Sequence, residues 1–197
     1  MLLHEKLKDK RLILASNSPR RRQLLADAGL SFEVAEKYPC EESYPADMPA
    51  EEVAGHIAEL KSRAYPKPLN DNDILVTADT VVIVGGEVLG KPAGRDDALR
   101  MLRKLSGRSH KVVTGVMFRT AGRSLVFRSE TSVIFKELSD EEMTYYVDTF
   151  RPFDKAGAYG IQEWIGYAAV ERIEGSFYNV MGLPVQRLYT ELDAFLS

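Results

Sequence analysis

Apolar residues recur along this chain in two rhythms. Short continuous runs predict buried strands at residues 11–15 (RLILA), 32–35 and 74–84 (ILVTADTVVIV), the last being the strongest strand signal in the sequence. Runs with three-to-four-residue spacing predict helices between them. One starts at Pro19 or Arg20, carries Leu24, Leu25 and Ala28 on one face, and stops at Gly29. A second spans 50–65, with Val53, Ile57, Leu60 and Ala64 as its apolar stripe and Pro66 and Pro68 beyond its end. Gly85-Gly86 predicts a hairpin into residues 87–89. A helix follows over 95–105, closed by Ser106-Gly107. Residues 111–119 and 124–135 predict two long strands joined at Ala121-Gly122-Arg123. Ser139-Asp140-Glu141-Glu142 is a capping box opening a helix to about Asp148. A strand over 168–173 and a closing helix over 184–196, with Val185, Leu188, Leu192 and Phe195 in phase, complete the order. Residues 36–48 are polar, hold Pro39 and Pro45, and predict a loop. Strands and helices mix rather than segregate, which predicts an α/β fold with a mixed sheet.

The 197 residues are enough for one ample core, so one domain over 1–197 is expected, with room for two lobes. Apolar residues at 45% and charged residues at 28% are those of an ordinary soluble protein. A net charge of -3 does not favour a nucleic-acid backbone, so any phosphate ligand must be caught by a local basic cluster. The single cysteine, Cys40, excludes an intrachain disulfide and a multi-cysteine zinc site. Residues 1–10 are charged and lack an apolar signal core, and no apolar run approaches the roughly 18–20 residues of a membrane span. The cytoplasm is the expected compartment. A homodimer is left open.

Four segments could carry chemistry. In Ser16-Asn17-Ser18-Pro19-Arg20-Arg21-Arg22 a strand delivers the chain into a hydroxyl-rich turn and a helix starts at once. A helix N-terminus offers unpaired N–H groups, and arginines add forked cationic donors suited to phosphate. The ordinary alternative is a capped helix with a solvated basic first turn. Thr77-Ala78-Asp79-Thr80 places a carboxylate inside an apolar, β-branched run, where burial is costly without a partner or a metal. A site at the end or bend of that strand is expected; the alternative is an Asp in a turn between two strands. Gly85-Gly86-Glu87-Val88-Leu89-Gly90-Lys91-Pro92 nearly matches a P-loop, but Pro92 replaces the required Ser or Thr and the segment sits on a hairpin, so a P-loop is rejected. Lys91 remains a useful cation or a plain surface lysine. Lys61 lies beside the apolar stripe of its helix, a position that by itself favours a stem snorkelling to solvent. Glu41 or Glu42, in the polar loop before that helix, could join Asp79 in holding a hard cation through oxygen. His4, His56 and His110 form no metal-spaced cluster, and no G-x-G-x-x-G supports dinucleotide binding.

In order, these pieces resemble the Maf family (septum formation inhibitor Maf-like). Ser16-Asn17-Ser18-Pro19-Arg20-Arg21 is similar to its S-x-S-P-R-R signature, with Asn17 where many members have Gly. Residues 77–82 resemble its A-D-T-[VI]-V segment. Gly90-Lys91-Pro92, then residues 102–107 with His110, Val112 and Thr114, then 154–162 (DKAGAYGIQ) and 179–184 (NVMGLP), follow in the family's order. The resemblance implies a two-lobed Maf/inosine triphosphatase-like fold with a central cleft. It implies hydrolysis of nucleoside triphosphates to monophosphate and pyrophosphate with Mg²⁺ or Mn²⁺, in house-cleaning of nucleotides or restraint of cell division. It assigns substrate contacts to Ser16, Arg20, Arg21, Lys61 and Lys91, the general base or a metal ligand to Asp79, and a metal-binding carboxylate to Glu41 or Glu42, with Glu42 preferred. The 154–162 stretch resembles the branch acting on dTTP and UTP, where the Gln162 amide could pair with the N3–H and O4 of uracil or thymine. Without the resemblance Gln162 reads as an exposed loop amide. The alternatives are a 7-methyl-GTP pyrophosphatase and a nucleotide-binding regulator of division that does not turn its ligand over.

Overall fold

Leu12, Ile13 and Leu14 are all buried, so the first strand is covered on both faces. That is the signature of a parallel central strand, which reads as an unbroken apolar run. In the computed structural model, which describes residues 2–197, β1 (Arg11–Leu14) indeed pairs in parallel with β2 (Glu33–Val34) and with β3 (Asp73–Val84). Arg11 Nε and Nη2 grip Asp73 at 2.8 and 2.9 Å, and these two residues are register partners. The ion pair therefore fixes which residue of β1 faces which residue of β3, where a one-residue slip would turn every side chain over.

Seven strands form one sheet in the order β2–β1–β3–β5–β6–β7, with β4 (Glu87–Leu89) joined to β3 as an antiparallel hairpin through Gly85-Gly86. β5 (Ser109–Arg119) and β6 (Ser124–Phe135) meet at a turn in which the Thr120 N–H donates to the Arg123 carbonyl at 2.9 Å. β7 (Val170–Glu174) pairs antiparallel with β6. Parallel and antiparallel pairs coexist, so the mixed α/β sheet is observed as expected.

The chain divides into two compact units. The first comprises the chain through Asp79, Thr114–Ser129 and Gly182–Ser197. It holds α1 (Leu3–Lys6), α2 (Pro19–Asp27), α3 (Ala50–Ala64) and α8 (Val185–Phe195). Pro19 opens α2 and the Ser18 hydroxyl caps the Arg21 N–H, as the S-P dipeptide predicts. α3 lies hard against β5. A methyl group on Gly115 would stand 2.4 Å from the Ala54 carbonyl, so only a bare Cα permits this approach. α1 was not expected from the sequence, being too short for a period. It docks on α8 through a Lys6–Asp193 pair at 2.8 Å.

The second unit comprises Thr80–Val113 and Glu130–Met181. Val82, Leu89, Leu102, Leu105, Phe135, Tyr146, Tyr159 and Ile165 belong to its continuous core. α4 (Arg95–Leu105) buries Ala98, Leu99, Met101, Leu102 and Leu105, and α5 (Asp140–Phe150) opens with the expected capping box of Ser139 and Glu142. The sequence reading differs from the structure near the C-terminus. Ala168 ends a five-residue helix, α6 (Trp164–Ala168), rather than starting a strand, and α7 (Phe177–Met181) was missed. Neither spans two turns, so neither produces a readable period.

Candidate active site

The chain leaves β1 with the Ala15 N–H donating to the Val76 carbonyl at 2.9 Å, and then turns through Ser16 into α2. Ser16 Oγ accepts from the Ser18 N–H and from Arg21 Nη1, both at 3.3 Å. Arg21 is no solvated first-turn residue. It is buried, donating from Nε to the Gly182 carbonyl at 2.7 Å and from Nη1 to the Ala78 carbonyl at 2.9 Å. Burial pulls its guanidinium below the ordinary range, while the charges of Asp79 and Glu42 pull the other way. An arginine stays charged even so. It therefore places a fixed positive charge beneath the turn and ties that turn to β3 one residue before Asp79. Arg20, the next residue back, is half-exposed on the same turn.

Asp79 sits at neither a strand end nor a turn. It lies within the twelve-residue β3, three positions past Val76, the last residue paired with β1. The expectation of a turn or strand end is corrected: the break lies in the neighbouring strand, which stops while β3 runs on. That places the carboxylate beyond the C-terminal end of a parallel strand, the general location of ligands in open α/β sheets.

Lys61 does not snorkel to solvent. Its Nζ lies 2.7 Å from Asp79 Oδ1 and 3.2 Å from Glu42 Oε1. The last turn of α3 is fastened so that the lysine cannot wander. Tyr38 Oη donates to the Lys61 carbonyl at 2.7 Å, Arg119 donates to the Ser62 hydroxyl at 2.9 Å and carbonyl at 2.7 Å, and Thr77 Oγ1 donates to the Ala58 carbonyl at 2.6 Å. The Lys61 and Ser62 carbonyls are among those that a helix C-terminus leaves without an i+4 partner. Burial pushes the Tyr38 phenol up to about 12, so it remains a donor. Both loop carboxylates are exposed, and Glu42 is the one that reaches the lysine.

Two carboxylates held 2.7 and 3.2 Å from one ammonium form a hard-oxygen donor set already built around a cation. Among the described residues no group of three or more His, Cys, Asp or Glu could hold a metal ion. Asp79 and Glu42 alone suit Mg²⁺, which is commonly bound by one or two carboxylates and completes its shell with water and substrate phosphates.

The remaining candidates lie in the second unit. Lys91 is exposed just after β4, and the Gly90 carbonyl before it accepts from the Gly157 N–H at 3.0 Å. Gln162 is no exposed loop amide: it is half-buried, with Oε1 fully shielded from water and without a protein donor. The sequence reading gave no role to four polar residues near it. Lys155 Nζ meets Asp154 Oδ1 at 2.8 Å and Glu163 Oε1 at 3.0 Å, and Tyr146 Oη donates to Glu163 Oε2. The available signal was a lysine and a glutamate flanking the otherwise uncharged stretch A-G-A-Y-G-I-Q.

A family model described as Maf-like protein matches residues 11–195. A dTTP/UTP pyrophosphatase of Phocaeicola vulgatus is 52% identical over 188 residues, covering 95% of this chain and 97% of that protein. Another dTTP/UTP pyrophosphatase, from Porphyromonas gingivalis, is 50% identical over 193 residues, covering 97% of each. Among solved structures, the Staphylococcus aureus Ham1 protein matches with a TM-score of 0.53 at 18% identity, covering 94% of this chain and 100% of that one. The last likeness establishes the fold.

Proposed function

The chain belongs to the Maf family, and on that footing we propose that it hydrolyses dTTP and UTP to the nucleoside monophosphate and pyrophosphate, as one Maf-like domain over residues 1–197. It is a nucleoside triphosphate pyrophosphatase, as its close relatives are named. The observation that carries the mechanism is the Lys61 ammonium set between Asp79 and Glu42.

Phosphoryl transfer asks a protein for charge neutralisation, an in-line nucleophile and positioned oxygens. Ser16 on the turn before α2 and Arg20 in the first turn of α2, with Lys61 and Lys91, supply donors and positive charge for the triphosphate. Arg21 supports the turn from below and adds its charge there. Asp79 accepts the proton of a water that attacks the α-phosphorus. The new P–O bond forms as the bond to the bridging oxygen breaks and pyrophosphate leaves. Asp79 and Glu42 are the residues that would hold Mg²⁺ or Mn²⁺; when bound, such an ion neutralises phosphate charge and lowers the pKa of coordinated water. Gln162 reads the base by giving its amide oxygen to N3–H and its NH₂ to O4. The orphaned, buried Oε1 supports this role, since a buried acceptor without a donor is costly.

A cytoplasmic location is part of the same proposal; no helix among the described residues is long and apolar enough to cross a membrane. The test is product analysis on a panel of dTTP, UTP, CTP, ATP, GTP and 7-methyl-GTP, with Mg²⁺ and with chelator. Monophosphate and pyrophosphate from dTTP and UTP, only with metal, are expected. Diphosphate and orthophosphate would overturn the bond assignment. Preference for 7-methyl-GTP would move the chain to the other branch, and intact triphosphate throughout would make it a binding regulator.

A further inference from the structure

Tyr146 is fully buried on α5, its ring stacked on Phe150 at a centroid distance of 5.2 Å, so the phenol oxygen has one place to be. That oxygen donates to Glu163 Oε2 and accepts from the Gly160 N–H at 2.9 Å. Glu163 is held on its other oxygen by Lys155, which also meets Asp154. One phenol thus joins Gly160 and Glu163, which lie on either side of Gln162 in sequence, and through Glu163 it reaches Lys155 and Asp154. Gly160 is where they converge: a methyl there would lie 2.9 Å from Lys155 Cε, 3.0 Å from Gln162 Nε2 and 3.1 Å from Glu163 Cδ. The glutamine amide is packed into the same knot, with its oxygen left unanswered.

The backbone leading into this knot is strained. Ala158 adopts φ of 58°, directly after Gly157 at 67°. A left-handed alanine persists only where its surroundings over-determine it. The Gly157 N–H on the Gly90 carbonyl, at 3.0 Å, holds one end of the segment, and the Tyr146–Glu163–Lys155 group holds the other.

We propose that Tyr146, Glu163 and Lys155 are positioning residues that set the orientation of the Gln162 amide and so the pyrimidine selectivity of the enzyme. This rests on the reading of Gln162 as the base-recognising group. An amide turned by half a revolution presents NH₂ where an acceptor is needed, and would then suit cytosine rather than uracil or thymine. Fixing the rotamer is therefore the same act as choosing the base. The phenol can serve because burial and the Glu163 contact both raise its pKa, keeping the proton on Tyr146.

The test uses the full-length chain with dTTP, UTP and CTP, comparing wild type, Tyr146→Phe, Glu163→Gln, Gln162→Ala and the double variant Tyr146→Phe/Gln162→Ala. Tyr146→Phe should lower kcat/KM for dTTP by about 10-fold, the scale of one well-made hydrogen bond, chiefly through KM, and narrow the dTTP-to-CTP ratio. Glu163→Gln still accepts from Tyr146 and should keep more of that ratio. A residue acting through Gln162 should add nothing to selectivity once the amide is gone, so the double variant should match Gln162→Ala. If Tyr146→Phe lowers all three nucleotides equally, or adds its full effect to Gln162→Ala, the positioning role is overturned while base reading by Gln162 stands. If Gln162→Ala leaves the ratio unchanged, both fall. Should Tyr146→Phe fail to fold, Glu163→Gln and Glu163→Ala, each alone and with Gln162→Ala, carry the same comparison.

Discussion

Each unit of the molecule contains a lysine set between two carboxylates. In the first, Lys61 lies 2.7 Å from Asp79 and 3.2 Å from Glu42; in the second, Lys155 lies 2.8 Å from Asp154 and 3.0 Å from Glu163. Charge and distance barely separate them. What differs is how far the acids are committed. Glu163 is taken on one oxygen by Lys155 and on the other by Tyr146, and the phenol is itself anchored by a backbone N–H. Asp79 meets its lysine through Oδ1. The companion acids do not separate the clusters, Glu42 being 46% and Asp154 57% exposed. An acid bonded at both oxygens to buried neighbours holds a shape. An acid bonded at one can still take a proton or a cation. The ion pair alone announces neither role.

The sharpest way to break this contrast is to neutralise one acid from each cluster without changing volume. Asp79→Asn should lower turnover by about 10²–10⁴-fold, the range for loss of a general base, with little change in melting temperature. Glu163→Gln should cost no more than about 10-fold and act mainly on KM. Steady-state kinetics on both variants decide it, and the reverse ranking would put the chemistry in the second unit.

A second effect belongs to the second unit alone. His110 is buried against Phe135 and Tyr159, with Nε2 2.8 Å from the tyrosine oxygen, and burial pushes its pKa down from 6.5 to about 4. The unfolded chain therefore binds a proton that the folded chain refuses between those two values. Stability is fully present above pH 6.5 and falls as pH drops toward 4, by up to about 3 kcal/mol on the linkage relation. Urea unfolding at pH 7 and pH 4.5 should show the loss, and His110→Gln should flatten it. An unchanged slope in the variant would assign the acid sensitivity to other groups.

The smallest effect probes the first unit. Arg21→Lys keeps the charge but cannot reach Ser16, Ala78 and Gly182 together. A loss of about 2 kcal/mol in stability is expected, together with reduced catalytic efficiency. Chemical denaturation and kinetics on the same preparation check both. A variant as stable as wild type would return Arg21 to the solvated face that its sequence position suggested.

Legibility followed length and period. The 74–84 run, the Gly85-Gly86 hairpin, and the helix over 95–105 were readable because each repeats its rhythm for several residues or carries its own turn chemistry. α1, α6 and α7 were not, because four or five residues hold barely one helical turn. Asp79 was legible as an anomaly, a charge in an apolar run. Its surroundings were not: the ends of the two strands were readable, but nothing local says that Leu14 pairs with Val76 and so leaves Asp79 beyond the end of β1. Lys61 and Gln162 were misjudged by position alone, since the Lys61 ammonium is met by a carboxylate 18 positions away and the Gln162 amide oxygen is shielded by packing that its loop sequence does not announce. Tyr146, one of two adjacent tyrosines on an amphipathic helix, looks like core, and its ring is core; only its oxygen is not.

Arg21 also gives the enzyme a birth order. A ribosome delivers Ser16 and the arginine first, Ala78 some sixty residues later, and Gly182 later still. A guanidinium cannot leave water until carbonyls are there to receive it. The full set of acceptors for this arginine therefore exists only once residue 182 has been made. A chain stopped short of that point already carries Lys61, Asp79 and Glu42, yet lacks one of the carbonyls that fasten their neighbouring turn.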